Sequence, residues 1–156
     1  MDKEEIQKNL NKLSQYRGVI IQDSINIEAW IDAILINYFI KENKHSEFLT
    51  KVIEDENFSF GMKINILEKL NLGTYKRFTE DIRRINNIRN IFAHCLPSSF
   101  TALSYYNKKT RMHETKELVE FHKEFLEKLK KVNEELGKIF NKLIEEKKKE
   151  SELKIK

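Results

Sequence analysis

Arg83-Arg84-Ile85-Asn86-Asn87-Ile88-Arg89-Asn90-Ile91-Phe92-Ala93-His94 reads as a single helical run with two contrasting sides. At about 100° per residue, Phe78, Ile82, Ile85 and Phe92 share one side, while Arg83, Asn87, Asn90 and His94 share the other. Arg89 breaks this division, because it projects between Phe78 and Ile82 on the apolar side. A permanently charged guanidinium is costly there unless a carboxylate, a phosphate or a subunit interface receives it. The same residues also accommodate a plainer reading, in which Arg89 snorkels to water and His94 complements the dipole at the helix C-terminus.

Around that stretch the composition is helical. The chain has 156 residues with four Gly and one Pro, and Lys, Glu, Leu, Ile and Asn dominate it. This length suits one domain with one core, here residues 1–156, with the core over about 3–145 and a frayed tail over about 146–156. The expected fold is all-α: an up-and-down bundle of four to six helices, with a short hairpin or ordered loop before the long final helix. Lys and Arg number 29 against 25 acidic residues, and the net +4 permits nucleic-acid contact without demanding it. Cys95 is the only cysteine, which rules out an intrachain disulfide and a cysteine-based zinc site and suits a reducing compartment. The start, Met1-Asp2-Lys3-Glu4-Glu5, does not resemble a secretory leader. The apolar run from Ala29 to Ile40 is interrupted by Asp32 and Asn37 and is too short to span a bilayer, so no membrane role and a cytoplasmic location are expected.

In chain order, Ile6, Leu10 and Leu13 mark a short amphipathic helix over about 3–16 that ends near Gly18. Residues 23–43 are so apolar that they predict a central helix with almost no solvated face. On it Glu28 and Asp32 stand four apart, beside Ile25, Leu35 and Phe39. Either they pair with lysines at an exposed edge, or one of them restrains Arg89. Phe58-Ser59-Phe60-Gly61 precedes a helix that stops at Asn71-Leu72-Gly73, where Gly73 can supply a left-handed cap. The next helix runs from about Thr74 to His94 or Leu96, before Pro97. Residues 100–106 have strand composition, and Asn107-Lys108-Lys109-Thr110 resembles a turn. There Tyr105 and Tyr106 offer stacking rings, and Lys108, Lys109 and Arg111 offer phosphate contacts, to which Arg83 and Asn87 on the polar stripe add. A solvated loop with its tyrosines packed on the bundle is the alternative. From Glu114 onward Leu118, Phe125, Leu129, Val132, Leu136, Ile139 and Leu143 form a helical seam, with His122 as a core or interface residue.

Arg89-Asn90-Ile91-Phe92-Ala93-His94, with four residues between Arg and His near the end of a helix, resembles the signature of the HEPN superfamily. Its ribonuclease members carry such a pair on the penultimate helix of a small bundle. The apolar helix upstream, the Phe58 to Ile64 stretch and the long final helix occur in similar order, so the resemblance extends over about residues 20–145. It implies Arg89 and His94 as catalytic residues, RNA as substrate, a homodimer, and a toxin or defence role with a protein antitoxin as partner. Non-catalytic members also exist, and the mannitol-operon repressor family has a comparable Arg-Asn helix, which keeps a nucleotide- or partner-binding module as the alternative.

The remaining chemistry is sparse. The sequence has no phosphate-binding glycine loop, nucleophile elbow or helical metal motif, and His45, His94, His113 and His122 lack ligand spacing, so no cofactor is expected. An Arg and a His suffice for attack of an RNA 2′-hydroxyl on its neighbouring phosphate, which needs a proton carrier near neutral pKa and a cation for the pentavalent state. His94 and Arg89 fit these roles, and Asn90, on the face of His94, is placed to orient the imidazole or to bind a phosphate oxygen. DNA lacks the nucleophile, so RNA selectivity follows.

Overall fold

A computed structural model of the chain describes residues 3–40, 44–55, 58–94, 102–107 and 111–153. The fold is all-α, with one antiparallel two-stranded hairpin ahead of a long final helix. The elements in order are α1 (Lys3–Phe39), α2 (His45–Phe48) continued by a π-helical turn (Leu49–Ile53), α3 (Phe60–Leu70), α4 (Phe78–His94), β1 (Ala102–Asn107), β2 (Met112–Glu117) and α5 (Leu118–Leu153). The chain divides into two compact units, one of Met1–Ile25 with Arg84–Leu129 and one of Asn26–Arg83 with Lys130–Lys156. Helices α1, α4 and α5 each supply residues to both.

The core of the first unit contains Leu13 and Ile20 of α1, Ile85, Ile88 and Phe92 of α4, Leu103 of β1, and Phe121 and Phe125 of α5. Phe92 meets Phe121 edge to face, with centroids 6.0 Å apart. In the second unit Ile27, Ile31, Ile34 and Leu35 of α1 are buried, as are Ile64 and Leu67 of α3, Phe78 and Ile82 of α4, and Val132 and Leu136 of α5. Trp30 packs edge-on against Phe140 at 5.5 Å.

Several expected boundaries move. The two helices expected over 3–16 and 23–43 are one helix, α1, which runs on through Gly18; a single helical glycine costs only about 1 kcal/mol, which the burial of Leu13 and Ile20 on either side of it outweighs. The second part of α1 also keeps a solvated side, with Ile25, Trp30, Tyr38 and Phe39 exposed. Its C-terminal carbonyl at Ile40 accepts from Lys147 Nζ at 3.2 Å and contacts His45 Nε2 at 2.9 Å. Helix α3 is capped by Ser59, whose Oγ accepts the Met62 amide at 3.4 Å. It closes at Asn71 in the left-handed region (φ 50°), while Gly73 has no positive φ. Asparagine tolerates this conformation, so the expected glycine cap is not needed.

Helix α4 starts at Phe78 rather than Thr74: residues 75–78 form a turn with a Phe78 N–H to Tyr75 carbonyl bond of 3.1 Å, and the Thr74 amide ahead of it donates to the buried Glu135 carboxylate of α5. Glu114 to Glu117, expected as the first turn of the last helix, pair instead with β1 from Tyr105↔Glu114 to Ala102↔Glu117. Helix α5 runs to Leu153. Most of its expected seam is buried, namely Leu118, Phe125, Val132, Leu136, Ile139 and Leu143, while Leu129 and His122 are half-buried. Among the described residues no helix is long and apolar enough to cross a membrane.

Candidate functional site

Helix α4 presents three arginines, and their surroundings differ. In the second unit Arg83 forms an ion pair with Glu68 and donates from Nη1 to Asn65 Oδ1 at 2.8 Å, so its charge is already balanced within the protein. The remaining two belong to the first unit. Arg84 grips Glu124 with two bonds, Nε to Oε1 at 2.6 Å and Nη2 to Oε2 at 2.8 Å. This bidentate fit holds the Glu124 carboxyl down at about 2, well below the usual 4.5; burial opposes the effect and Lys116 Nζ, 2.8 Å away, adds to it. The Arg84 guanidinium is correspondingly raised, first by Glu124, against burial. Arg84 and Lys116 also lie over the Phe121 ring, at 5.9 and 5.2 Å from its centroid.

Arg89, half-buried, differs from both. Its Nη1 donates to Asn90 Oδ1 at 3.1 Å, and no carboxylate pairs with it among the described residues. The expectation that Glu28 or Asp32 restrains Arg89 gives way to another pairing. Both carboxylates hold Lys63, whose Nζ lies 2.9 Å from Glu28 Oε1 and 2.9 Å from Asp32 Oδ1. Nor is this an exposed edge, because the Lys63 side chain is only 5% accessible. Burial pushes the Asp32 carboxyl above its ordinary range in spite of Lys63, which hydrogen-bonds only Oδ2, at 3.1 Å. A sequence signal for Lys63 existed: with Phe60, Ile64 and Leu67 it lies on the i, i+3, i+4, i+7 stripe of α3, where a lysine must find carboxylates. No comparable signal announces Arg84, Lys116 and Glu124, which only the fold brings together.

His94 is the last residue of α4 and is exposed, with Asn90 one turn before it on the same stripe. Asn87 is exposed as well. In the hairpin the two tyrosines part: Tyr105 turns inward onto Phe121 (5.4 Å) and hydrogen-bonds Arg84, while Tyr106 turns outward beside His113 (5.5 Å). Tyr105 is thus a packing residue, because adjacent strand residues face opposite ways. Arg111 is exposed and adopts φ 56°. Lys108 and Lys109 lie outside the described residues. His122 stacks on Tyr16 with centroids 4.1 Å apart, and burial lowers its pKa. Among the described residues no group of three or more His, Cys, Asp or Glu is placed to hold a metal ion. Comparison of the chain with protein-family models, curated proteins and solved structures found no match.

Proposed function

We propose that the chain is a metal-independent endoribonuclease of the HEPN type, cleaving single-stranded RNA with Arg89 and His94. The observation that carries the reading is the contrast along α4: Arg83 and Arg84 are each matched to a carboxylate, whereas Arg89 has only the neutral amide of Asn90 among the described residues. A half-buried cation left with unspent charge suits a phosphate. Five residues on, the exposed His94 has an imidazole accessible to substrate.

The reaction balances without a cofactor. His94 accepts the proton of the 2′-hydroxyl as O2′ bonds to phosphorus, the P–O5′ bond breaks, and the departing O5′ takes a proton from water, with the His94 imidazolium returning its own to the solvent. Arg89 stabilises the pentavalent phosphorane, leaving a 2′,3′-cyclic phosphate and a 5′-hydroxyl. The two residues stand about 140° apart around a regular helix, so one straight α4 does not aim both at a single phosphate. A homodimer that lines one cleft with residues of both copies removes this difficulty. That angle also favours a second reading, a nucleotide- or partner-binding module that does not cleave. A role as a cytoplasmic toxin or defence component, restrained by an antitoxin protein, follows from the resemblance alone.

The test is cleavage of an end-labelled single-stranded RNA in the presence of a chelator. His94→Ala is expected to reduce the rate about 10²–10⁴-fold, and Arg89→Ala about 10²–10³-fold, with circular dichroism and light scattering reporting that each variant keeps the wild-type fold and mass. A single 2′-deoxy substitution at the cleavage site should abolish cutting there. Unchanged cutting of that strand, or activity in folded His94→Ala, overturns the mechanism in favour of the binding module.

A further inference from the structure

We infer that Arg17 of α1 is a second phosphate-binding residue of the RNA site, holding the strand together with Arg89 across the seam between α1 and α4. The inference rests on the reading of RNA as the ligand and adds to it a residue outside the Arg89 to His94 stretch. Arg17 stands among Leu13, Ile20 and Ser24 on the buried stripe of α1, yet its half-buried side chain has no partner among the described residues. Its Nε is closed off from water with nothing to accept its hydrogen. A guanidinium so placed costs free energy until an acceptor reaches it.

The first unit holds three helical segments, from α1, α4 and α5, and the contacts to α5 fix how the other two are turned. On α1, Tyr16 stacks on His122 of α5; Ile20 and Leu13 come next around the helix, and Arg17 lies beyond them, about 100° from Tyr16. On α4, Arg84 pairs with Glu124 of α5; Phe92 and Ile85 come next, and Arg89 lies beyond them, about 140° from Arg84. The hairpin keeps to the Arg84 side, where Tyr105 bonds Arg84 and Lys116 bonds Glu124. Around a core of three helices, a flank turned away from α5 faces the remaining helix, so Arg17 and Arg89 border one seam. From Ile25 back to Arg17 is eight residues, and from Arg84 on to Arg89 is five; these are the points where the two helices leave the unit. The two arginines therefore stand within about one turn of each other along the seam. Asn86, three residues before Arg89, adds a second enclosed atom without a partner, its Oδ1. Charge selects the occupant: among the described residues neither Arg17 nor Arg89 pairs with a carboxylate, and Arg89 donates only to the Asn90 amide. Two such forks fit a phosphodiester, whose two free oxygens can take one fork each.

The experiment measures anisotropy of a labelled single-stranded RNA oligonucleotide bearing 2′-O-methyl groups, which cannot be cut by 2′-hydroxyl attack. The full chain is compared as wild type, Arg17→Met, Arg89→Met and the double variant; methionine keeps an apolar stem and removes the charge. Arg17→Met is expected to bind about 10-fold or more weakly. Because both arginines hold one phosphate, the double variant should lose less affinity than the product of the two single losses. Loss of an unpartnered cation should leave the thermal midpoint of unfolding unchanged or higher. Wild-type affinity in Arg17→Met, or single losses that multiply in the double variant, overturns the shared site. So does a lowered midpoint in Arg17→Met, which would make Arg17 a packing residue. Because the probe is not cut, binding that depends on Arg17 in a chain that cleaves no RNA supports the inference while refuting the nuclease. Wild-type affinity in Arg17→Met with cleavage intact does the reverse.

Discussion

Replacing Glu124 by Gln removes the charge that Arg84 and Lys116 share but keeps the side chain's shape. Two short bonds from Arg84 (2.6 and 2.8 Å) and one from Lys116 (2.8 Å) hold its carboxyl at about 2 rather than 4.5. At about 1.4 kcal/mol per tenfold change in proton affinity, that gap corresponds to about 3 kcal/mol of folding free energy at neutral pH. The side chain is 24% exposed, and solvent screening lowers the expectation to about 2 kcal/mol. The folded value is depressed, so the contribution is complete above the unfolded value near 4.5 and is lost as pH falls towards 2. Urea unfolding of wild type and Glu124→Gln at several pH values checks this. The difference should be about 2 kcal/mol at pH 7, roughly half that at pH 3, and smaller still below. A deficit under about 0.5 kcal/mol at pH 7, or one that does not change with pH, would refute the reasoning and mark the cluster as an ordinary surface ion pair.

Lys63→Met should cost about 3 kcal/mol in the same assay, because it strands the Glu28 and Asp32 carboxylates; Asp32→Asn should cost under about 1 kcal/mol, because burial already opposes that charge. The pH signs differ from that of Glu124. The raised Asp32 carboxyl favours folding below its unfolded value and loses that contribution as pH rises through the folded one, whereas Lys63 contributes fully below about 10.5 and is lost as pH rises through its raised value. Alkaline titration of stability should therefore show a loss in wild type that Lys63→Met lacks. Gly73→Ala should destabilise by about 1–3 kcal/mol, since its Cβ would clash with the buried Phe78 side chain, 2.9 Å from Cγ and 3.0 Å from Cβ. Gly18→Ala should instead raise stability by about 0.5–1 kcal/mol, as the new methyl meets nothing within 4 Å; a lowered thermal midpoint in that variant would contradict a continuous α1.

What the sequence determined by itself is what local periodicity encodes. The apolar spacing of Ile82, Ile85 and Phe92, and of Leu118 through Leu143, required helices with one buried side, and these residues are buried in α4 and α5 except for the half-buried Leu129. The strand-like composition of residues 100–106 beside a turn-like segment likewise pointed to the hairpin. Tertiary structure decided wherever a distant group outweighed local preference. Glu135, 61 residues from Thr74, anchors the segment ahead of α4 by accepting the Thr74 amide, and pairing with β1 draws residues 114–117 out of the final helix. The ion pairs are decided the same way. Lys63 meets Glu28 across 35 residues, and Arg84 meets Glu124 across 40. A one-dimensional pattern can say that a charge on an apolar stripe needs a partner, but which partner depends on distances that exist only once the chain has packed. The character of Arg89 arises in this way: periodicity placed it off the polar stripe, and folding gave the carboxylates elsewhere to Lys63, Arg83 and Arg84.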